Sequence, residues 1–389
     1  MTEEYDPLAS VQAAGPPGTI SFIYGLPDPA TFPVQDMRRA ADQVLRERPE
    51  LALQYGPEQG YGPLIDYLRD KLAGEEGLAL QRPQIMLTAG SAQALDHLCT
   101  LFTRPGDLVL VEAPTYHETL QLFRDHGLRP LQIPIDEDGL LVEELGQRLG
   151  ALARRGERVR FLYTIPNFQN PSGITLAADH RRPVLELAER FDLLVVEDDV
   201  YRDLAYEGKV PPSLFALDGG RRVLRIGSFS KILAPGVRMG WLMGPVDLIE
   251  RLINSGLRCM GGGANPFMAN ILATYCQQGL LEPHIERLCQ VYRERRDAML
   301  AVLAAYVPDD AGWTRPRGGF FVWLTLPEPL RAAEVADRAK AAGLLISVGD
   351  PFFAEMPIGQ HLRLAFSYVS PARIREGIET LGRVLRACS

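Results

Sequence analysis

Ser228-Phe229-Ser230-Lys231-Ile232-Leu233-Ala234-Pro235-Gly236-Val237-Arg238-Met239-Gly240-Trp241 sets one lysine among small and hydroxyl-bearing residues, with an arginine seven positions later across a Pro-Gly turn. A lone lysine before a turn is ordinarily a solvated surface residue. These neighbours suit it to more. A lysine amine can form a Schiff base with an aldehyde cofactor, and the hydroxyls of Ser228 and Ser230 with Arg238 can hold that cofactor's phosphate. The run just upstream, Val223-Leu224-Arg225-Ile226, reads as a buried strand, so the lysine is delivered from a strand end.

Working outward, short β-rich runs alternate with helical patterns from about residue 84 to 244. Ile85-Met86-Leu87-Thr88, Leu108-Val109-Leu110-Val111, Leu131-Gln132-Ile133, Val159-Arg160-Phe161-Leu162-Tyr163 and Leu193-Leu194-Val195-Val196 read as further buried strands. Helix-length segments such as 92–103 and 179–191 lie between them. That alternation predicts an α/β layer with a mostly parallel sheet, whose ligands sit beyond the carboxyl ends of the strands. After about residue 245 the pattern shifts to long helices, including 282–305. Strands at 319–324 and 361–366 follow, and helices are expected to close the chain. This second region reads as a smaller α+β domain.

Composition narrows the function classes. A chain of 389 residues with 46% hydrophobic content can bury a large core. The net charge of -8 carries no basic stripe, so neither nucleic acid nor an anionic membrane surface is an expected partner. The acidic start, Met1-Thr2-Glu3-Glu4-Tyr5-Asp6, has no apolar core of its own, and no apolar run approaches about 18 residues. A cytoplasmic protein acting on small molecules is expected. Cys99, Cys259, Cys276, Cys289 and Cys388 are widely spaced without a C-x-x-C pair, and the six histidines form no H-x-x-x-H group, so no metal is expected.

Four more segments carry candidate chemistry. Thr88-Ala89-Gly90-Ser91-Ala92-Gln93 ends a strand and opens a helix, where backbone N–H groups can approach an anion. Pro166-Asn167-Phe168-Gln169-Asn170-Pro171-Ser172-Gly173 follows the strand ending near Tyr163. Val196-Glu197-Asp198-Asp199-Val200-Tyr201 places three acids directly after an apolar run, which suggests partial burial. Glu112-Ala113-Pro114-Thr115-Tyr116 is a fourth strand-end loop. Further on, Arg363 alternates with Leu362 and Leu364, and a charge on one face of a strand needs an anionic partner.

In this order the segments resemble the fold type I pyridoxal-phosphate (PLP) aminotransferases of class I/II, from about Ser21 to the C-terminal helix. The chain is most similar to the 2-aminoadipate and kynurenine aminotransferase branch. The resemblance implies a large PLP-binding domain, residues 36–258, with a mostly parallel seven-stranded sheet flanked by helices. It also implies a smaller α+β domain made of 1–35 together with 259–389.

By the same resemblance, Lys231 holds the cofactor and then serves as general base at the substrate Cα and as acid at the cofactor. Asp198 pairs with the ring nitrogen, and Asn170 and Tyr201 bond the ring oxygen. Tyr116 stacks on the ring. Gly90, Ser91, Ala92, Ser228, Ser230 and Arg238 form the phosphate cup. Arg363, with Asn170, clamps the substrate carboxylate. Tyr55, in Leu53-Gln54-Tyr55-Gly56-Pro57, reaches the phosphate of a neighbouring subunit, which implies a homodimer with shared sites. Transfer of the α-amino group of an aromatic, branched aliphatic or 2-aminoadipate-like amino acid to a 2-oxo acid such as 2-oxoglutarate, by a ping-pong mechanism, is the implied reaction.

The chain departs from the pattern in three places. No Lys or Arg precedes Arg38, although relatives that accept 2-aminoadipate are expected to use an N-terminal arginine for its distal carboxylate. The usual Gly-Gly of the substrate-gating segment is Tyr24-Gly25, which favours aromatic or branched aliphatic donors if Tyr24 lines the pocket and has no such effect if it turns into the core. Ala92 stands where glutamine is common. Two other readings stay open. One is a different PLP reaction on an amino acid: β-lyase, decarboxylase or racemase. The other is a PLP-binding regulatory domain, because winged-helix regulators carry a similar region; no DNA-binding module is expected before Ser21.

Overall fold

The computed structural model describes residues 18–388, so the acidic stretch at 1–6 and the first 17 positions of the smaller expected domain lie outside the described residues. Strand β1 (Ile20–Ser21) comes first. Eight strands then build the large sheet: β2 (Ile85–Thr88), β3 (Leu108–Ala113), β4 (Arg129–Asp136), β5 (Gly139–Leu140), β6 (Val159–Thr164), β7 (Leu194–Asp198), β8 (Val223–Ser228) and β9 (Gly240–Met243). Their order is β2-β9-β8-β7-β6-β3-β4-β5. Strands β4, β3, β6, β7 and β8 run parallel, while β9 is antiparallel to both of its neighbours.

Every residue of β3 and of β8 is buried, as expected for strands covered on both faces by helices such as Ser91–Phe102 and Ala178–Arg190. Two strands go beyond the six read from the sequence. Strand β9 begins inside the lysine stretch itself, at Gly240, immediately after the turn that masks it. The two-residue β5 folds back on β4 and adds an eighth strand to the expected seven; it is too short to leave a periodic signal.

A second sheet is antiparallel, in the order β10 (Gly312–Trp313), β11 (Phe321–Thr325), β14 (His361–Ala365), β13 (Ser347–Val348). Between β11 and β13, strand β12 (Leu344–Leu345) pairs in parallel with β1. The Phe22 N–H donates to the Leu345 carbonyl at 2.8 Å, and the Ala365 N–H donates to the Phe22 carbonyl at 2.8 Å. The N-terminal segment is thus stitched to the C-terminal third before it runs on through Tyr24 and Gly25. One helix, Pro371–Cys388, closes the described chain rather than several, packed on the long helix Leu281–Tyr306. Among the described residues no helix is long and apolar enough to cross a membrane.

Candidate active site

The large sheet brings five strand ends to one edge. Lys231 follows β8, Asp198 ends β7, the loop to Asn170 follows β6, Tyr116 follows β3 and Gly90 follows β2. Gly240 closes the gap between β2 and β8: a β-carbon there would stand 2.7 Å from the Gly227 carbonyl oxygen and 3.2 Å from the Gly90 backbone.

Lys231 is half-buried, and its removal from water lowers its amine to about 8. Its Nζ donates to the Gly25 carbonyl at 3.3 Å and lies 5.8 Å from the centre of the Tyr201 ring. Gly25 is forced to be glycine here, since a β-carbon would stand 2.5 Å from Phe321. The chain has four lysines, at 71, 209, 231 and 340. Lys71 contrasts with Lys231: half-buried as well, it is lowered by its removal from water, but Asp203 and Glu75 outweigh that and raise it. A small amine-directed reagent such as cyanate is therefore expected to label Lys231 with a rate that climbs with pH and levels off near 8. Peptide mass spectrometry of the cofactor-free protein checks this, and a rate still climbing past pH 10 would contradict it.

The three acids after the β7 run are all buried, more completely than the partial burial expected from sequence. Alternation along the backbone splits them. Asp198 faces the site; burial raises it to about 6 even though the Tyr163 hydroxyl donates to its Oδ2 at 2.6 Å. Its other oxygen, Oδ1, is buried without a hydrogen-bond partner. Glu197 accepts from the Leu214 and Phe215 N–H groups at 2.8 and 2.9 Å, and Asp199 pairs with Arg225 at 2.9 Å. That network fixes the Asn170 loop from behind. Asn167 donates to Asp199 at 2.5 Å, and Arg181 donates to the Asn167 side-chain oxygen at 2.7 Å.

Asn170 joins the two sheets. Its Oδ1 accepts from Arg363 Nη1 at 3.0 Å, which leaves its amide N–H groups for the Tyr201 hydroxyl, to which it is hydrogen-bonded. Arg363, on β14, is buried, and burial lowers it to about 10. Its Nη2 donates to the Ile23 carbonyl at 2.8 Å, its Nε has no partner, and its guanidinium lies 4.7 Å from the Phe321 ring and 4.8 Å from the Phe352 ring.

The anion cup assembles from two strand ends. Ser228 Oγ accepts from the Ser230 N–H at 3.1 Å, and the two hydroxyls lie 2.9 Å apart. Arg238 takes a left-handed backbone conformation (φ 45°) that returns its side chain across the turn, and Nη2 donates to the Ala89 carbonyl at 3.1 Å. Gly90 has φ 89°, and a β-carbon there would stand 2.8 Å from Arg238 Nη2. Ser91 and Ala92 follow as the first residues of the helix Ser91–Phe102, whose N-terminal N–H groups face this cup. Gly90→Ala is expected to weaken cofactor retention at least about tenfold, because φ and Arg238 both oppose the methyl group. Dialysis with absorbance monitoring measures it, and wild-type retention would refute it.

Tyr24 is buried, edge-on to Tyr368 at 5.9 Å between ring centres. That burial against Tyr368 is the core-facing alternative for Tyr24, and Tyr55 stands apart from the other candidates: it is 82% exposed and lies against Gly261. Two residues at the site escaped the sequence reading. Tyr163 is hidden inside an apolar strand run, where its only signal is a position beside the acids on the neighbouring strand. Glu118, in the first turn of the helix His117–Asp125, accepts a hydrogen bond from the Tyr116 hydroxyl, and its charge acts on Lys231 and Arg363.

Comparison with known proteins places this site in a family. The family described as aminotransferase class I and II matches residues 25–381. The chain is 39% identical to aromatic-amino-acid aminotransferase 1 of Thermococcus litoralis, over 94% of this chain and 88% of that protein. It is 37% identical to a 2-aminoadipate transaminase of Thermus thermophilus, over 95% and 91% of the two chains. The fold matches a kynurenine aminotransferase of Pyrococcus horikoshii with a TM-score of 0.91 and 37% identity, covering 99% of this chain and 97% of that one. The residues present fit the family's cofactor: the unpartnered Asp198 oxygen suits a protonated ring nitrogen, the Gly90 and Arg238 cradle suits a phosphate, and a lysine near 8 suits an aldehyde. With motif order, strand-end geometry and relatives in agreement, the chain belongs to the class I and II aminotransferases and is a pyridoxal-phosphate-dependent amino-acid aminotransferase.

Proposed function

We propose that the enzyme takes aromatic or branched aliphatic amino acids as donors, with Lys231 as the proton carrier and Arg363 as the carboxylate anchor. The observation that carries this reading is the buried pair Arg363–Asn170, a cation held by one neutral side chain and one carbonyl and left with an unpartnered Nε beside two aromatic rings. A carboxylate is the ligand that such a guanidinium lacks. Phe321 and Phe352, which border the Arg363 guanidinium, give apolar surface for the rest of the donor.

When bound, pyridoxal phosphate supplies an aldehyde that condenses with amines and a ring that draws electrons from the substrate Cα. The protein supplies placement and proton control. Asp198 would keep a proton on the ring nitrogen, Asn170 and Tyr201 would bond the ring oxygen, and Tyr116 would cover one face. Gly90, Ser91, Ala92, Ser228, Ser230 and Arg238 would hold the phosphate. Lys231, its amine lowered to about 8, would take the Cα proton and return it across the nitrogen, at the cofactor carbon. The exposed Tyr55, with Leu53, Leu257 and Met260 also exposed, supports a homodimer in which Tyr55 completes the phosphate site of the second subunit. We place the division between the larger and smaller domains at 36–258 against 1–35 with 259–389, and the enzyme in the cytoplasm.

The test is a donor panel of leucine, phenylalanine, tryptophan, kynurenine, 2-aminoadipate and glutamate with a 2-oxo acid acceptor. Faster transfer from the aromatic or branched donors is expected. A clear preference for 2-aminoadipate would overturn the assignment of donors.

A further inference from the structure

Glu112 and Gln169 are buried beside the site and have no part in the roles assigned above. Glu112 lies near the end of β3, and its hydrogen-bond partners are all neutral. Oε1 accepts from the Thr164 hydroxyl at 2.5 Å, and Oε2 accepts from the Ile165 N–H at 3.1 Å and the Gln169 side-chain amide at 2.9 Å. Burial pushes this carboxyl up to about 7 even against those bonds, and Asp198 pushes the same way. A proton gained there has one acceptor, the Thr164 oxygen, because the other two partners can only donate. Oε2 therefore keeps both of its bonds in either state.

Gln169 uses every hydrogen-bonding position of its side chain. Its amide nitrogen donates to Glu112 and to the Pro114 carbonyl at 2.7 Å, and its oxygen accepts from the Ser172 N–H at 3.1 Å and the Ser172 hydroxyl at 2.6 Å. Its backbone closes the same loop, with the N–H on the Ile174 carbonyl at 2.9 Å and the carbonyl on the Gly173 N–H at 2.6 Å. Pro114 lies two residues before Tyr116, and Gln169 is next to Asn170. Asn167 already ties the start of the Asn170 loop to β7 through Asp199. Glu112 and Gln169 tie its middle to β3.

We propose that Glu112 and Gln169 are positioning residues, a buried clasp that sets the spacing between Tyr116 on the face of the cofactor ring and Asn170 at its edge. This rests on the roles given above to Tyr116 and Asn170. Because Asn170 also accepts from Arg363 at 3.0 Å, the clasp steadies the carboxylate anchor as well.

Hydrogen bonds to the ring oxygen stabilise its anion, and losing them raises the pH at which the bound cofactor's visible absorbance changes. Spectra of the holoenzyme across pH therefore report where Asn170 stands. Gln169→Met removes the bridge at similar volume. It is expected to raise that midpoint by at least about half a pH unit, in the direction of Asn170→Ala, and to lower kcat/KM for phenylalanine about tenfold. Glu112→Gln keeps an acceptor for Ile165 and Gln169 and a donor for Thr164, so its midpoint should stay within about 0.2 pH unit of wild type. A folded Gln169→Met protein with wild-type midpoint and kcat/KM overturns the proposal, as does a Glu112→Gln shift as large as that of Gln169→Met. Thermal unfolding checks the fold; if Gln169→Met does not fold, Glu112→Leu, which opens the clasp from its other side, is held to the same limits. An unmoved midpoint in Asn170→Ala would instead sink the ring-oxygen role of Asn170, and the loss of kcat/KM in Gln169→Met, about tenfold or below about twofold, would then decide for or against the clasp.

Discussion

Replacing Lys231 by alanine is expected to reduce amino-group transfer by at least about 10⁴-fold in kcat/KM, since the change removes both the covalent anchor and the proton carrier. No neighbour can take over. Tyr201 is pushed well above its ordinary range by burial and by Asp198, so it stays protonated at neutral pH. Lys71 is engaged with Glu75 and Asp203. The fold is expected to survive, because the Lys231 amine makes one hydrogen bond, to the Gly25 carbonyl, and burying a neutral methyl group in its place leaves no charge behind. Single-turnover kinetics with phenylalanine, alongside thermal unfolding, separate the two effects. Activity above about one percent of wild type in the folded variant would remove Lys231 from its assigned role.

The largest expected loss of stability lies behind the site, at Arg225. It is buried between Glu76 at 2.5 Å and Asp199 at 2.9 Å, and both carboxylates are themselves buried. Arg225→Met keeps much of the volume but leaves two buried acids to the more distant Arg202, at 3.3 and 3.8 Å, at a cost of about 3–5 kcal/mol measured by denaturant unfolding. Acid should mimic part of this. Burial pushes Glu76 upward, but Arg225 and Arg202 overcome it and hold the group at about 2, below its ordinary 4.5. A depressed acid contributes stability that is present above pH 4.5 and is lost as pH falls toward 2, so wild type should lose this share within that window and the Met variant should lose less. Equal acid profiles for the two proteins would contradict the assignment. Because Asp199 also holds Asn167, and through it the Asn170 loop, the variant should bind the cofactor more weakly even where it remains folded.

The parallel sheet was legible because its buried strands leave unbroken apolar runs, and the site because its polar residues sit where those runs stop. Asp198 comes two residues after such a run and Lys231 five. Residues inside a run are harder to see. Tyr163 reads as one more core aromatic of β6, and only the register with β7 places its hydroxyl on Asp198. Glu118 reads as a helix-end acid, and only the folded path of the Tyr116 loop brings the Tyr116 hydroxyl to it as a donor. Strand β9 was masked by the turn that precedes it. The return of the N-terminal segment to β12 and β14 joins residues more than 300 positions apart, and no local pattern encodes that pairing.

The two cations expected to meet the substrate, Lys231 and Arg363, are both tethered to main-chain carbonyls of one short segment, Gly25 and Ile23. Backbone oxygens are indifferent to the side chains beside them. Apart from Gly25, held by its contact with Phe321, that segment can change its residues and still present the same two acceptors. The chain thus separates what must stay constant from what can drift: the reaction is wired to the peptide backbone, and the choice of amino acid is left to side chains that can be exchanged one at a time.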